Sequence, residues 1–235
     1  MKQKGIIGVH HPSGMLIRDA IFGVNDGIVS MLALIAGLSA ALMTNKVIII
    51  SALAESFAGA LSMAIGSYIS TKSQVEFMTH ELQDETRNII KKPKMERAHL
   101  AEIYRNKGFR GKELEAIVNK IMSNKKVWGD VMQREELGFS ASSMQNPVNG
   151  GIVMFFSFLI ASVIPLWPFF FMGADHIAFL VALFNGSVLL FVVGIGKTYF
   201  TGRHPLRSGI EMVVVGGIAT ALAYAVGTYI PLFLQ

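Results

Sequence analysis

Five long apolar runs alternate with short polar breaks along this 235-residue chain, and one long polar stretch separates the first two from the last three. The runs cover about 20–43, 46–70, 148–172, 176–199 and 208–234. Each reaches the roughly 20 apolar residues that a helix needs to cross a bilayer. The breaks at Thr44-Asn45 and Gly173-Ala174-Asp175 are very short, so spans one and two, and spans three and four, are expected to form tight hairpins. Pro165 and Pro168 fall in the outer part of the third span and predict a kink there. The first run is too long for a signal-peptide core of about 7–15 residues. Ser39-Ala40-Ala41 therefore resembles a cleavage site by composition alone, and the segment reads as a retained anchor.

Within the polar stretch the pattern stays helical. The second helix is expected to continue into water as KSQVEFMTHELQDETRNIIKK and to end before Pro93, a good helix-opening residue. KMERAHLAEIYRNKG then reads as a helix stopped at Gly108, followed by GKELEAIVNKIM and KKVWGDVMQREELGF, with 140–146 as a linker into the third span. The expected fold is an all-α membrane protein of five transmembrane helices. Its segments are an N-terminal hairpin (1–70), a helical module (71–147) and helices three to five (148–235).

Composition agrees: 52% of residues are hydrophobic, 16% are charged, and the mean hydropathy is +0.49, too apolar for an ordinary soluble domain. The 71–147 stretch holds 25 of the 37 charged residues (21 basic, 16 acidic). The absence of cysteine excludes disulfides, thiolate metal sites and cysteine nucleophiles. Of the 21 basic residues, 20 fall before span one, between spans two and three, or between spans four and five, and only Lys46 falls on the other side. That bias places the N-terminus and the polar module in the cytoplasm and the C-terminus outside or in a lumen. The net charge of +5 then reports membrane topology and not nucleic-acid binding.

The candidate chemistry begins with acids in apolar runs. Asp26 lies inside IFGVNDGIVSMLALIAGLSAAL, where a carboxylate costs about 2.5–3.5 kcal/mol near the bilayer centre and so marks function. Counting from the cytoplasmic ends of their helices, Asp26 and Met63 both sit roughly 10 Å deep, and Glu55 lies roughly 12 Å deeper than Met63 on a similar face. Gly23 and Gly27 bracket Asp26 and are expected to loosen the helix and free carbonyls for an ion. Carboxylate plus thioether suits a borderline metal such as Fe²⁺ better than Mg²⁺ or Ca²⁺, which take all-oxygen shells. In the polar module, Glu81/Glu85 and Glu76/His80 are each four apart, as are Met132/Glu136. Glu96 and His99 form Glu-x-x-His, a spacing used in helical di-iron sites, with Glu102 one turn further on. Glu211 enters the fifth span three residues after Ser208 and reads as interfacial or paired with Arg207, and His204, before Pro205, as structural.

Four segments together resemble the vacuolar iron transporter family: RDAIFGVNDGIVSMLALIAGLSAA, ALAESFAGALSMAIGSYISTKSQVE, VIPLWPFF and SGIEMVVVGGIATALAYAVG. The resemblance covers about residues 18–231. It implies a five-span dimer with a cytoplasmic helical metal-binding domain, exporting Fe²⁺ and sometimes Mn²⁺ from the cytosol in exchange for protons. The family's ion-path aspartate and methionine fall on Asp26 and Met63, and its second-span glutamate on Glu55. Its cytoplasmic ligands fall on Glu85, Glu96, Met132 and Glu136. Asn88 and His99 stand where the family pattern has glutamates, and Gln133 where it has methionine, so two negative charges are lost. His99 shifts the preference slightly towards ions tolerant of nitrogen, such as Fe²⁺, Zn²⁺ or Mn²⁺.

The expected protein is a homodimeric metal/proton antiporter in the lipid bilayer, not an enzyme. It has no cofactor, and Fe²⁺ or Mn²⁺ is its transported substrate. Glu85, Glu96, His99, Glu102, Met132 and Glu136 would collect the ion and pass it to Asp26, Glu55 and Met63. With no N-terminal extension, a prokaryotic cell membrane is expected, or a vacuolar one if the source is eukaryotic. The rival reading is a membrane-anchored metal sensor or di-iron oxidase built on Glu96 and His99.

Overall fold

The computed structural model describes residues 13–136, 138, 145–173 and 176–233, so Lys2, Lys4, His10, His11 and most of the expected 140–146 linker lie outside the described residues. Ten α-helices and one 3₁₀ turn are found in them, with no strand. In order they are α1 (Ser13–Ala40), α2 (Asn45–Lys91), α3 (Pro93–Asn106), α4 (Gly111–Met122) and α5 (Lys125–Glu135). After these come α6 (Pro147–Val163), the 3₁₀ turn Ile164–Leu166, α7 (Trp167–Met172), α8 (His176–Gly196), α9 (Thr198–Thr201) and α10 (Pro205–Phe233). Five helical runs are long and apolar enough to cross a membrane, and the protein is an integral membrane protein. The chain divides into two compact units, Met1–Ile69 with Pro147–Gln235, and Ser70–Asn146.

In the first unit α1 is the central helix, packed against α6, α8 and α10. Small residues make this possible, because van der Waals contact and not water exclusion drives helix association in lipid. A Cβ on Gly27 would lie 2.6 Å from the Phe158 carbonyl oxygen, and Gly37 meets Gly227 backbone to backbone. One apolar cluster joins Met31 and Ile35 of α1, Ile48 and Ala52 of α2, and Leu166, Phe169, Ala178 and Ala182. A second joins Ile28 and Leu32 to Ala161, Leu190 and Met212. Phe57, Leu61 and Ile65 of α2 point outward, as lipid-facing residues do.

The first hairpin closes differently in detail from the expected Thr44-Asn45 break. Helix α1 ends at Ala40, Leu42 takes a positive φ of 56°, and Asn45 opens α2. The Asn45 side-chain amide donates to the Phe169 carbonyl at 3.0 Å, tying the hairpin to α7. The kink expected at Pro165 and Pro168 is present as the 3₁₀ turn between α6 and α7, each proline standing in the first turn of its element.

The second unit begins in the later part of α2, which is one continuous helix of 47 residues. At 1.5 Å per residue it is roughly 70 Å long, more than twice a bilayer core of about 30 Å. Pro93 occupies the first position of α3, and Gly108 at φ 104° turns the chain after it. Asn124 caps α5, its side-chain oxygen accepting from the Lys126 and Val127 amides at 3.0 and 3.3 Å. The core of this unit is Ile89, Leu100, Leu114, Val118, Ile121, Trp128 and Met132.

Candidate functional site

The membrane group is set by how α6 meets α1 and α2. Gly23 and Gly27 press on Met154, Ser157 and Phe158 of α6, while Gly59 of α2 receives the Phe158 ring. Phe158, 1% exposed, meets Gly27 through its backbone and Gly59 through its ring edge. Asp26 adjoins Gly27 on α1, while Glu55 and Met63 stand roughly 6 Å of helix rise to either side of Gly59 on α2.

All three side chains are half-buried. Glu55 folds back along its helix: a Cβ on Gly59 would lie 3.3 Å from Glu55 Oε1 and 2.5 Å from the Phe158 ring. The carboxylate and the ring edge share the space that Gly59 leaves. The glycines around Asp26 do not loosen the helix as expected. Helix α1 is unbroken from Ser13 to Ala40, and Gly23 and Gly27 serve close packing on α6 instead of an unwound, carbonyl-lined segment.

Two features escaped the sequence reading. Ser162 donates to Ser56 at 3.0 Å, and Ser56 donates to the Ala52 carbonyl at 2.9 Å, so a buried hydroxyl pair fixes α2 to α6 beside Glu55. The only signal was a serine next to an intramembrane acid. Asp19, one turn before Gly23, is buried and paired with Arg18 at 2.8 Å.

The second group lies within the polar unit. Three helices each place a carboxylate one turn from a core residue: Glu85 beside Ile89 on α2, Glu96 beside Leu100 on α3, and Glu136 beside Met132 at the end of α5. His99 shares the face of Glu96. One donor atom from each of Glu96, His99 and Glu136 lies within 4.8 Å of the other two. His99 Nδ1 is 3.7 Å from Glu96 Oε2 and 3.8 Å from Glu136 Oε1, both too long for a hydrogen bond.

Glu96 is 1% and Glu85 5% exposed, and Glu96 Oε2 and Glu85 Oε1 have no hydrogen-bond partner. Burial, then the Glu136 and Glu96 charges, push the Glu85 carboxyl up to about 7, against a smaller lowering by His99. Burial and the Glu136 charge raise Glu96 as well, opposed by His99 and Lys92. Buried polar oxygens without partners are costly, and a cation is one group that would satisfy them. Met132 is fully buried in the apolar cluster. Glu102 is exposed and is not among the three residues whose donors converge.

These features define a polytopic helical membrane protein with acids inside its spans and a convergent carboxylate-imidazole group in its polar unit. The VIT family model matches residues 17–228, and the chain belongs to this family. It is similar to vacuolar iron transporter 1 of Arabidopsis thaliana, 33% identical over 215 residues that cover 92% of this chain and 86% of the relative. Similarity to vacuolar iron transporter 1 of Oryza sativa subsp. japonica is 33% over 220 residues, covering 92% and 87%. The vacuolar iron transporter of Toxoplasma gondii is 32% identical over 225 residues, covering 92% and 74%.

Proposed function

We propose that this protein is a metal transporter that exports Fe²⁺, and in a secondary role Mn²⁺, from the cytosol in exchange for protons. The observation that supports the reading is that Asp26, Glu55 and Met63 flank the two glycines, Gly27 and Gly59, that Phe158 contacts, within the spans of a chain whose relatives are named iron transporters. The basic-residue bias supports a cytoplasmic placement for the N-terminus and the polar unit. There Glu85, Glu96, His99 and Glu136, with Met132 behind them, would take up the ion, which then passes along Met63, Asp26 and Glu55. Ion and proton compete for the same carboxylate oxygens, and that competition couples the two flows.

A homodimer fits the same scheme, because half-buried acids on α1 and α2 need a second protein surface and not lipid around them. The oxidase reading is weaker, since a helical di-iron site uses two Glu-x-x-His segments and only Glu96-Arg97-Ala98-His99 has a convergent partner among the described residues. Proteoliposomes holding an Fe²⁺-sensitive dye test the proposal. Uptake driven by a pH gradient is expected for the wild type and lost in Asp26→Ala; undiminished uptake by that variant sinks it.

A further inference from the structure

The connection between the fourth and fifth spans carries more charge and more exposed ring than its own packing uses. The runs on either side of it, His176–Thr201 and Pro205–Pro231, are long and apolar enough to cross a membrane, so the connection lies at a bilayer surface. A close backbone approach draws its two ends together. A Cβ on Gly194 of α8 would stand 2.7 Å from the Gly209 Cα and from the Ser208 carbonyl oxygen of α10. Lys197 follows Gly194 and Arg207 precedes Gly209, each within about one helical turn of that contact. Arg203 falls between them in the chain, just after Gly202 turns it at φ 64°. Arg203 and Arg207 are exposed, Lys197 is half-buried, and none of the three has an ion pair among the described residues. Glu211, which the sequence allowed as a partner for Arg207, is exposed and makes no ion pair with it.

Apolar groups crowd the same turn. Tyr199 is 88% and Phe200 59% exposed, with their rings edge to face at 5.2 Å, and Leu206 is 56% exposed. Aromatic rings of this kind sit at the headgroup level of a bilayer. Helix α10 begins here as well, at Pro205, and the amides of its first turn lack helical partners. Its macrodipole favours an anion at that end. Ser208, 2% exposed, leaves its hydroxyl without a hydrogen-bond partner one turn into the helix. Helical side chains tilt towards the N-terminus, so this buried hydroxyl leans towards the same turn.

The geometry points to a binding site for the headgroup of an acidic phospholipid, formed by Lys197, Arg203, Arg207 and the start of α10, with Tyr199 and Phe200 seated against the lipid's glycerol and acyl carbons. A guanidinium offers paired N–H donors to two phosphate oxygens, and a lysine adds a point charge. Positive charge that only orients a chain in the membrane needs no rings beside it. Free phosphate would meet the same charges but gain nothing from the rings, and that favours the lipid as the source of the anion. The headgroup bridges the end of α8 and the start of α10, tying them where Gly194 and Gly209 already touch. This site needs only a membrane around the chain and is independent of the transport reading.

The test uses the full chain in detergent, with lipid binding counted by native mass spectrometry. Dioleoyl phosphatidylglycerol should bind at least about tenfold tighter than phosphatidylcholine of the same chains, since each basic residue near an anionic surface contributes about fivefold. Arg203→Gln with Arg207→Gln should cut that preference at least about fivefold and leave phosphatidylcholine binding unchanged. Lys46→Gln, exposed at the start of α2, should change nothing. Tyr199→Ala with Phe200→Ala should weaken phosphatidylglycerol severalfold without altering competition by inorganic phosphate. An unaltered preference in the arginine variant, or an equal loss in Lys46→Gln, overturns the site. Inorganic phosphate binding as tightly as the lipid overturns the lipid assignment. Where the arginine variant fails to fold, salt decides on the wild type: the preference should fall severalfold from about 0.05 to 0.5 M salt, and a preference indifferent to salt overturns the site.

Discussion

Cation binding by the polar unit should strengthen with pH across neutrality, because the ion must displace a proton from Glu85. The carboxyl of Glu85 is raised to about 7 from an ordinary 4.5. At pH 6 about one molecule in eleven then has it ionised, and at pH 8 about ten in eleven, from the definition of the pKa. If the ion needs the ionised form, apparent affinity rises about tenfold from pH 6 to 8 through this group. Glu96, shifted in the same direction, can only add to the slope. The assay is isothermal titration calorimetry of Co²⁺ into the full chain in two buffers of different ionisation enthalpy, which counts the protons released per ion. About one proton is expected near pH 6, falling towards none near pH 8.5. Glu85→Gln, which keeps a carbonyl oxygen but no acidic proton, should flatten the dependence. Binding that is equally tight at pH 6 and 8, with no proton released, would refute the reasoning.

The same shift governs stability without metal. The folded unit holds the Glu85 proton more tightly than the unfolded chain, so this contribution is full below pH 4.5 and is lost as pH rises through about 7. The difference of 7 − 4.5 at about 1.36 kcal/mol per unit sets a ceiling of about 3 kcal/mol. Hydrogen exchange of α3 to α5 in metal-free protein should quicken from pH 5 to 8 beyond the intrinsic rate, and Glu85→Gln should remove the excess; added Co²⁺ should protect the same amides. In the membrane unit, Gly27→Ala drives a methyl into the Phe158 carbonyl and should cost about 1–3 kcal/mol in thermal denaturation. Gly129→Ala, with nothing within 4 Å of its new methyl inside α5, should instead stabilise by about 0.5–1 kcal/mol.

What the sequence made legible was local. Pro93, Gly108 and Gly111 punctuate the polar unit, and helices α3 and α4 begin or end beside them. The unbroken run of helical pattern past residue 70 was visible because propensity and spacing persist where hydropathy falls. Glu96, His99 and Glu136 were among the expected ligands and their donors do converge, but spacing alone did not separate them from Glu102. Glu102 and Glu96 are equally plausible by spacing, yet Leu100 packing into the core buries Glu96 and leaves Glu102 in water. Gly23 and Gly27 show the same limit. Their spacing fits a loosened helix or a packed one, and only the arrival of α6, with Phe158 far along the chain from Gly27, decides for packing.

Charge balance in the spans gives one more prediction. Asp19 is already matched by Arg18 at 2.8 Å and Glu211 is exposed in the second turn of α10, which leaves Asp26 and Glu55 as the two acids of the proposed path. A net charge near the bilayer centre costs about 2.5–3.5 kcal/mol, so the empty and loaded states should both approach neutrality. One divalent ion neutralises both acids, and so do two protons. Exchange on these groups should therefore carry two protons per ion and move little net charge. An uncompensated elementary charge crossing the whole membrane would be biased by about 2.3 kcal/mol per 100 mV, roughly fiftyfold in the equilibrium ratio. Metal uptake into proteoliposomes at a fixed pH gradient, with the potential set by valinomycin and potassium, should change by far less than that. Glu55→Gln removes one acid and leaves the loaded path with a net positive charge. Its residual uptake should become sensitive to potential; a wild type as sensitive as the variant would show that Asp26 and Glu55 do not set the stoichiometry.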